Sequence, residues 1–346
     1  RTGAFMNPKV LSLGFATPQY SGTQSEVMQH FGFKSPATRR IFEGTGIERR
    51  YGYVNPEIYK RDPSWQELTE LYKKGAVELG VKAAREALEG YNVEDISLIT
   101  FSSVSGYVCP APSYAIAAEL GLKNSVAHTN ILGQGCQSAA PSLERAYDHI
   151  KSRGVLALSV TSEICSATYF PQHNERDLEY IVSASLFADG ASAAVVGYDD
   201  DPHHPEIIDF ESYYDPKYLD LLGYDWVDGR LKVKLSMRVP EVVPPLIRQT
   251  VDKLLERNSL SRRDINHWIL HPGGKSVLEN IEKELGLTQK QTYWSWEVMK
   301  KWGNMSSSTL GCIAKHVQQH DNPSGWGVAA TMGAGTAVNA CLVRWE

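Results

Sequence analysis

The sequence predicts an α/β fold built from an internally duplicated unit, with helices covering both faces of its sheets. Three observations carry this. The chain has 346 residues, more than one ordinary core needs, so two domains or one large duplicated domain is expected. Short apolar runs rich in β-branched residues alternate with amphipathic helical stretches, the pattern of sheets buried on both sides. Two passages then repeat one plan of helix, Asp-Ile, buried strand and glycine turn.

The first copy of that plan places Val77, Val81, Ala84 and Leu88 on one helical face. Asp95 follows, then a buried strand over residues 96–101 that ends in Ser-Ser-Val-Ser-Gly. A strand-like run over 127–132 leads through a glycine turn into a helix with Leu143, Ala146, Tyr147 and Ile150 on one face. The segment SLFADGASAAVVGY from Ser185 reads as a glycine turn and an apolar strand. The polar stretch from Tyr198 to His204 marks a boundary, giving halves 1–198 and 199–346. In the second copy Pro244 and Pro245 open a helix with Leu246, Thr250 or Val251, and Leu254 on one face. Asp264-Ile265 and a strand over 267–270 follow, ending at His-Pro-Gly-Gly. ATMGAGTAVNACLVRW from Ala330 echoes the earlier glycine turn and strand. One unduplicated α/β sheet is the alternative reading.

Composition narrows the function classes. Hydrophobic residues make up 42% and charged residues 22%, which are globular values. A net charge of -5 gives no general attraction for nucleic acid or an anionic membrane. No apolar stretch is long enough to cross a bilayer. Arg1–Phe5 reads as a tag remnant ahead of Met6 and lacks the apolar core of a signal peptide. The five cysteines, Cys109, Cys136, Cys165, Cys312 and Cys341, show no CxxC pairing, so a reducing cytosol is expected rather than a disulfide framework. No pair of cysteines sits near a histidine pair, so no metal site is expected.

Three residues stand where chemistry is expected. Cys136 lies in Leu-Gly-Gln-Gly-Cys-Gln-Ser-Ala-Ala between a strand and a helix. The positive end of the helix dipole there favours thiolate, and exposed backbone N–H groups can face an oxyanion. A buried structural cysteine is the competing reading. His271 ends a buried strand before a glycine turn, where α/β folds place active residues. A neutral imidazole there can take a thiol proton or donate to a thioester carbonyl. His267, four residues earlier, reads as a packed core histidine. Asn304, in Gly-Asn-Met-Ser-Ser-Ser, is either an uncharged donor for an enolate oxygen or a helix cap. Met332-Gly333-Ala334-Gly335 is a glycine loop without the GxGxxG spacing of a dinucleotide site. Of the isolated acids Asp177, Glu179 and Asp189, the last reads as ordering its own Ala-Asp-Gly-Ala turn.

In their order, GQGC with Cys136, SEICSATYF, SLFADGASAAVVG, HPGG, GNMSSS and MGAG resemble the motif series of chalcone synthase and other type III polyketide synthases. The resemblance runs from about Leu11 to Trp345. Ketoacyl-ACP synthase III enzymes are close cousins that share the cysteine, histidine and asparagine. The resemblance implies a duplicated thiolase-like fold of five layers, αβαβα, and a homodimer, which with the cysteine usage is expected to be cytoplasmic. It implies Cys136 as the acyl-accepting nucleophile. His271 would hold it as thiolate and, with Asn304, bind the thioester carbonyl during decarboxylation. Phe187 would be a gatekeeper at the pocket mouth. Cys109, before Pro110, would sit on a loop that reaches the partner's pocket. Asn304 separates this chain from the hydroxymethylglutaryl branch, which uses a glutamate base.

The pattern also departs from plant chalcone synthases. Val233 stands where a second gatekeeper phenylalanine is expected, and Tyr224 replaces a small glycine that widens the cavity. Thr-Met-Gly-Ala-Gly, ending at Gly335, replaces the plant GFGPG loop, so these positions are expected to shape the substrate site. A small phenolic, resorcinol or pyrone product is expected over a phenylpropanoid one. Among the basic residues expected to grip the phosphates of coenzyme A, Arg39, Arg40 and Lys275 are present, and one family lysine is Gly44. An acyl carrier protein carrying phosphopantetheine is the alternative donor. The expected function is loading of an acyl thioester on Cys136 and decarboxylative Claisen condensation with a malonyl thioester, with no cofactor beyond these thioester substrates. A ketoacyl-synthase-III-like joining of two β-keto acyl chains, and a non-condensing acyltransferase, are the alternatives.

Overall fold

The computed structural model describes residues 6–169, 176–227 and 229–346, so the remnant expected at 1–5 lies outside the described residues. The first half runs β1 (Lys9–Ala16), β2 (Tyr20–Thr23), α1 (Gln24–His30), α2 (Pro36–Gly44), β3 (Arg49–Gly52), α3 (Trp65–Ala87), β4 (Ile96–Ser102) and α4 (Pro112–Leu120). It continues with β5 (Ala127–Ile131), α5 (Ala139–Ser152), β6 (Leu156–Glu163), α6 (Leu178–Leu186) and β7 (Gly190–Gly197). The second half runs β8 (Glu206–Tyr213), β9 (Leu222–Val227), β10 (Arg230–Leu235), α7 (Val239–Arg257) and β11 (Ile265–Leu270). It ends with α8 (Lys275–Leu285), α9 (Tyr293–Trp302), α10 (Ser308–His320), β12 (Gly325–Met332) and β13 (Val338–Trp345).

The duplication read from the sequence is present in the strand pairing. In the first half β4 runs parallel to β6, β6 antiparallel to β7, and β7 antiparallel to β1. In the second, β11 runs parallel to β12, β12 antiparallel to β13, and β13 antiparallel to β8. The two sets join edge to edge where Lys9 pairs with Glu206, so one nine-stranded sheet spans both copies. The repeated Asp-Ile pairs behave alike: Asp95 and Asp264 each end a single 3-10 turn, and Ile96 and Ile265 each start a buried strand.

Five layers follow from where the apolar faces go. Helix α3 covers β1, β6 and β7 from outside, and α7 covers β8, β12 and β13, with α8 packed on α7. Between the two sheet portions lie α5, against β4, β6, β7 and β13, and α10, against β1, β7 and β11. The buried apolar residues separate accordingly. One cluster under α3 includes Leu79, Ile99 and Leu158, and one under α7 includes Val251, Leu270 and Leu342. A central cluster mixes Leu98, Ala146 and Ile150 of the first half with Ile269, Ile313 and Cys341 of the second. Neither half can bury its inner face alone, so the two fold as one body around this middle layer.

One sequence expectation fails here. Pro244 and Pro245 do not open α7; the helix starts at Val239 with Pro240 in its first turn, and both prolines lie inside it. Pro244 has no N–H to give to the Pro240 carbonyl. Asn280 Nδ2 donates to that oxygen instead, at 2.8 Å, which lets the helix run through.

Candidate active site

Cys136 is set by both halves of the chain. After β5 the backbone passes Gly133 and Gly135, each at positive φ, and puts Cys136 in a 3-10 turn, Gly135–Ser138, ahead of α5. The loop after β12 seats this turn. Thr331 Oγ1 donates to the Cys136 carbonyl at 3.0 Å, and the Ala334 N–H donates to Gln134 O at 3.1 Å. The approach is close enough to exclude a side chain, since a Cβ on Gly333 would lie 2.4 Å from Gln134 O. Burial pushes the Cys136 thiol up to about 12; the Ser306 hydroxyl draws it down, and the Glu163 carboxylate adds to the rise. Burial therefore works against the helix dipole at this cysteine, which stands a short turn before α5.

His271 follows β11, with its N–H on Ala330 O of β12 at 2.9 Å. It is 1% exposed, and among the described residues neither ring nitrogen has a hydrogen-bond partner. Burial brings its pKa from 6.5 to about 3, so the ring is neutral. The unfolded chain therefore takes up this proton first. Stability from keeping the ring neutral is present above about 6.5 and lost as pH falls toward about 3. His271→Gln is expected to flatten the acid limb of a thermal-melt stability profile across that window. An unchanged slope would show that the native cavity protonates the ring freely.

Asn304 lies between α9 and α10 and caps neither helix; the N-cap of α10 is Ser307. Its Oδ1 accepts the Ser306 N–H at 2.9 Å, which fixes the orientation of the amide. Nδ2 donates to Gly273 O of the His-Pro-Gly-Gly turn at 2.7 Å. Among the described residues Nδ2 makes that one hydrogen bond, so a second hydrogen stays available to a ligand. The Asn304 backbone also pairs with that of Phe187 in a parallel bridge.

Cys136, His271, Asn304, Phe187 and Lys275 line one cavity of about 290 Å³. A smaller chamber of about 30 Å³ shares Cys136, Phe187 and Leu222 with it and is walled by Tyr224, Val233, Cys165, Ser306 and Gly333. Tyr224 and Val233 reach the same wall because they are direct cross-strand partners in the β9–β10 hairpin. Gly335 has φ of 70° and lines neither cavity; its neighbours Gly333 and Ala334 line the small one. Arg39 and Arg40 are exposed on α2, whose Ile41 and Gly44 form cavity wall while the arginines do not. Cys109 is exposed and lines neither cavity of its own chain.

Some functional neighbours carry no local sequence signal. Glu163, wholly buried at the end of β6, accepts from the Val104 and Ser105 N–H groups and from Ser103 and Ser105 hydroxyls through one oxygen. Its other oxygen takes the Ser307 hydroxyl at 2.6 Å. This ties the loop after β4 to the Asn304 loop. Asp189 orders more than its own turn, accepting the Tyr53 N–H at 2.7 Å and the Ser166 N–H at 2.8 Å. Burial lifts its pKa to about 6, against these hydrogen bonds. His267 is half-buried, edge-on to Trp345, and is structural. Among the described residues no group of three or more His, Cys, Asp or Glu is placed to hold a metal ion. Among the same residues, no helix is long and apolar enough to cross a membrane.

Comparison with known proteins places this geometry. Residues 6–200 match the family model described as chalcone and stilbene synthases, N-terminal domain, and residues 224–345 match the corresponding C-terminal domain. The chain is 29% identical over 354 residues to a 3,5-dihydroxyphenylacetyl-CoA synthase of Streptomyces toyocaensis, covering 98% of this chain and 90% of that one. It is 29% identical to the protein of the same name from Amycolatopsis orientalis, covering 96% and 92%. Among solved structures, a polyketide synthase, PKS-I, from the brown alga Ectocarpus siliculosus superposes with a TM-score of 0.92 over 100% of both chains, at 24% identity. The 1,3,6,8-tetrahydroxynaphthalene synthase of Streptomyces coelicolor superposes with a TM-score of 0.90 at 22% identity, covering 98% of this chain and 99% of that one. These two likenesses are of fold: the thiolase-like, five-layered architecture.

Proposed function

Because the chain belongs to the chalcone and stilbene synthase family, and so is a type III polyketide synthase that condenses acyl units in secondary-metabolite biosynthesis, we propose how its own residues divide that work. The observation that carries the reading is the convergence of Cys136, His271 and Asn304 on one cavity that meets a small chamber at Cys136. Cys136 Sγ attacks an acyl thioester and forms the acyl-cysteine, while the carrier thiolate leaves. Neutral His271 takes the thiol proton and returns it to the leaving thiolate. A malonyl thioester then enters the same cavity. Its bond to the terminal carboxylate breaks, CO₂ departs, and the electron pair becomes an enolate with charge on the thioester oxygen. The free hydrogen of Asn304 Nδ2 and an N–H of His271 donate to that oxygen. The enolate carbon attacks the acyl-cysteine carbonyl, the carbon–carbon bond forms, and Cys136 leaves as thiolate and takes one proton from water, replacing the proton that left with the carrier thiol. The scheme draws its carbanion from decarboxylation and contains no step for a redox cofactor.

Further roles belong to the same proposal. The halves divide as 1–198, which carries the nucleophile, and 199–346, which carries His271 and Asn304. The donor is a coenzyme A thioester; Lys275 in the cavity wall, with Arg39 and Arg40 exposed on α2, whose Ile41 and Gly44 belong to the same wall, offers charge for its phosphates. A second copy of the chain docks along β5, the strand at the sheet edge, where Tyr114 and Leu132 are exposed and apolar. Cys109 then belongs to the partner's cavity. The deciding experiment is intact-protein mass spectrometry on wild type and Cys136→Ala with a panel of acyl-CoA and acyl-carrier thioesters, followed by malonyl-CoA. The expected result is an acyl adduct on wild type alone, discharged by malonyl-CoA into a new product; native spectra of the same sample read the dimer. An equal adduct on Cys136→Ala would remove the nucleophile assignment.

A further inference from the structure

Phe187 and Asn304, the gate and the enolate donor of the proposed reaction, are held together through their backbones. The Asn304 N–H donates to Leu186 O at 2.9 Å and the Ala188 N–H to Asn304 O at 2.8 Å, which makes the bridge between them. The carbonyl of Phe187 then receives two more donors, Arg50 Nη1 at 2.7 Å and the Tyr169 hydroxyl at 2.7 Å. Arg50 is 3% exposed. Its Nε donates to Gln24 Oε1 at 2.9 Å, and among the described residues its Nη2 has no hydrogen-bond partner.

The same side chain lies under the residue before Asn304. A Cβ on Gly303, which has φ of 76°, would lie 2.9 Å from Arg50 Cγ and 3.2 Å from Leu186 O. The glycine thus lets the arginine stem press against the backbone that carries the donor. Among the described residues Arg50 makes no ion pair, although Asp189 is near enough to favour its charge. The Asp189 oxygens are taken up by Tyr53 and Ser166. A guanidinium buried without a bonded counter-ion is costly. A neutral donor would suffice to satisfy one carbonyl oxygen. The fork instead spans Gln24 on α1 and Phe187 after α6, reinforcing the bond that Gln24 Nε2 donates to Ser185 O of α6 at 2.8 Å.

We propose that Arg50, assisted by Tyr169, is a positioning residue that locks the Phe187–Asn304 bridge and so fixes the Asn304 donor in the wall of the larger cavity. This rests on the condensation reading above. Acyl loading uses Cys136 and His271 and does not need that donor, whereas enolate formation does. A small shift of a preorganised donor costs up to about a hundredfold in rate. The clamp therefore predicts a split between the two half-reactions, which a general loss of folding would not produce.

The test uses the full chain with acetyl-CoA and malonyl-CoA. Loading on Cys136 is read by intact mass, and decarboxylation by CO₂ release, in wild type, Arg50→Gln and Tyr169→Phe. Arg50→Gln is expected to load within about threefold of wild type and to lose about ten- to a hundredfold in decarboxylation, with KM for malonyl-CoA little changed. Tyr169→Phe keeps the guanidinium and is expected to lose less, in the same direction. Parallel loss of loading and decarboxylation, or unchanged decarboxylation, overturns the clamp. If Arg50→Gln does not fold, unchanged decarboxylation in Tyr169→Phe overturns it. Wild type that neither loads nor decarboxylates these thioesters overturns the condensation reading itself, and the clamp with it.

Discussion

Asn304→Asp is expected to load acyl groups on Cys136 at close to the wild-type rate and to lose about a hundred- to a thousandfold in malonyl decarboxylation. The substitution keeps shape, and the oxygen facing Ser306 N–H still accepts. What changes is the other side of the group. The amide nitrogen carries two hydrogens, one spent on Gly273 O at 2.7 Å and one left for the cavity. An ionised carboxylate has none; it repels both Gly273 O and a developing enolate. A protonated carboxyl has one, which the Gly273 carbonyl claims. Either state leaves the enolate oxygen without its donor, so lowering the pH is not expected to restore the reaction. CO₂ release beside adduct mass reads the two steps separately. Decarboxylation equal to wild type would remove Asn304 from the mechanism.

Tyr224→Ala is expected to change which acyl groups are loaded. The inner chamber of about 30 Å³ has room on the order of one or two water molecules, so only a small acyl group is expected to fit it. Tyr224 lines that space beside Cys165, with its hydroxyl toward Thr168, and loss of water around the phenol raises its pKa. Removing the ring opens the chamber from within, with the backbone of the β9–β10 hairpin kept in register by its pairing across six residues. Burying a phenyl-sized group in the new space favours it by about 1.5–3 kcal/mol. The ratio of phenylacetyl-CoA to acetyl-CoA loading should therefore rise about ten- to a hundredfold, measured by competition and adduct mass. Some stability is lost with the cavity, by about 1–3 kcal/mol, since Tyr224 is only partly buried. A ratio that does not move would mean that the acyl chain points into the outer cavity instead.

Much of this architecture is legible along the chain itself. The duplication shows in sequence because each copy repeats a local device: a 3-10 turn ending in aspartate, a strand, a glycine turn. Cys136, His271 and Asn304 are legible for a related reason. Each sits on or beside a turn at which glycine supplies an unusual backbone angle, as Gly135, Gly273 and Gly303 do. Glycine at such points leaves a mark that reading along the chain can find. The start of α7 is not legible in the same way. Pro244 and Pro245 suggest a helix start, and nothing nearby in sequence points to Asn280, which takes over the carbonyl that Pro244 leaves unpaired.

By itself, then, the sequence determined the repeated α/β unit, the chemical type of the three side chains proposed to react, and the loops that present them, because all three are encoded within a few residues of each position. Only the tertiary structure decided the burial around the thiol, the size of the inner chamber, the loss of Gly335 from its wall, and the support given by Glu163 and Arg50. Those depend on groups far apart along the chain: Arg50 meets Phe187 across 137 positions, and Ser307 meets Glu163 across 144. Burial and cavity volume are sums over many such encounters, so no local pattern can carry them.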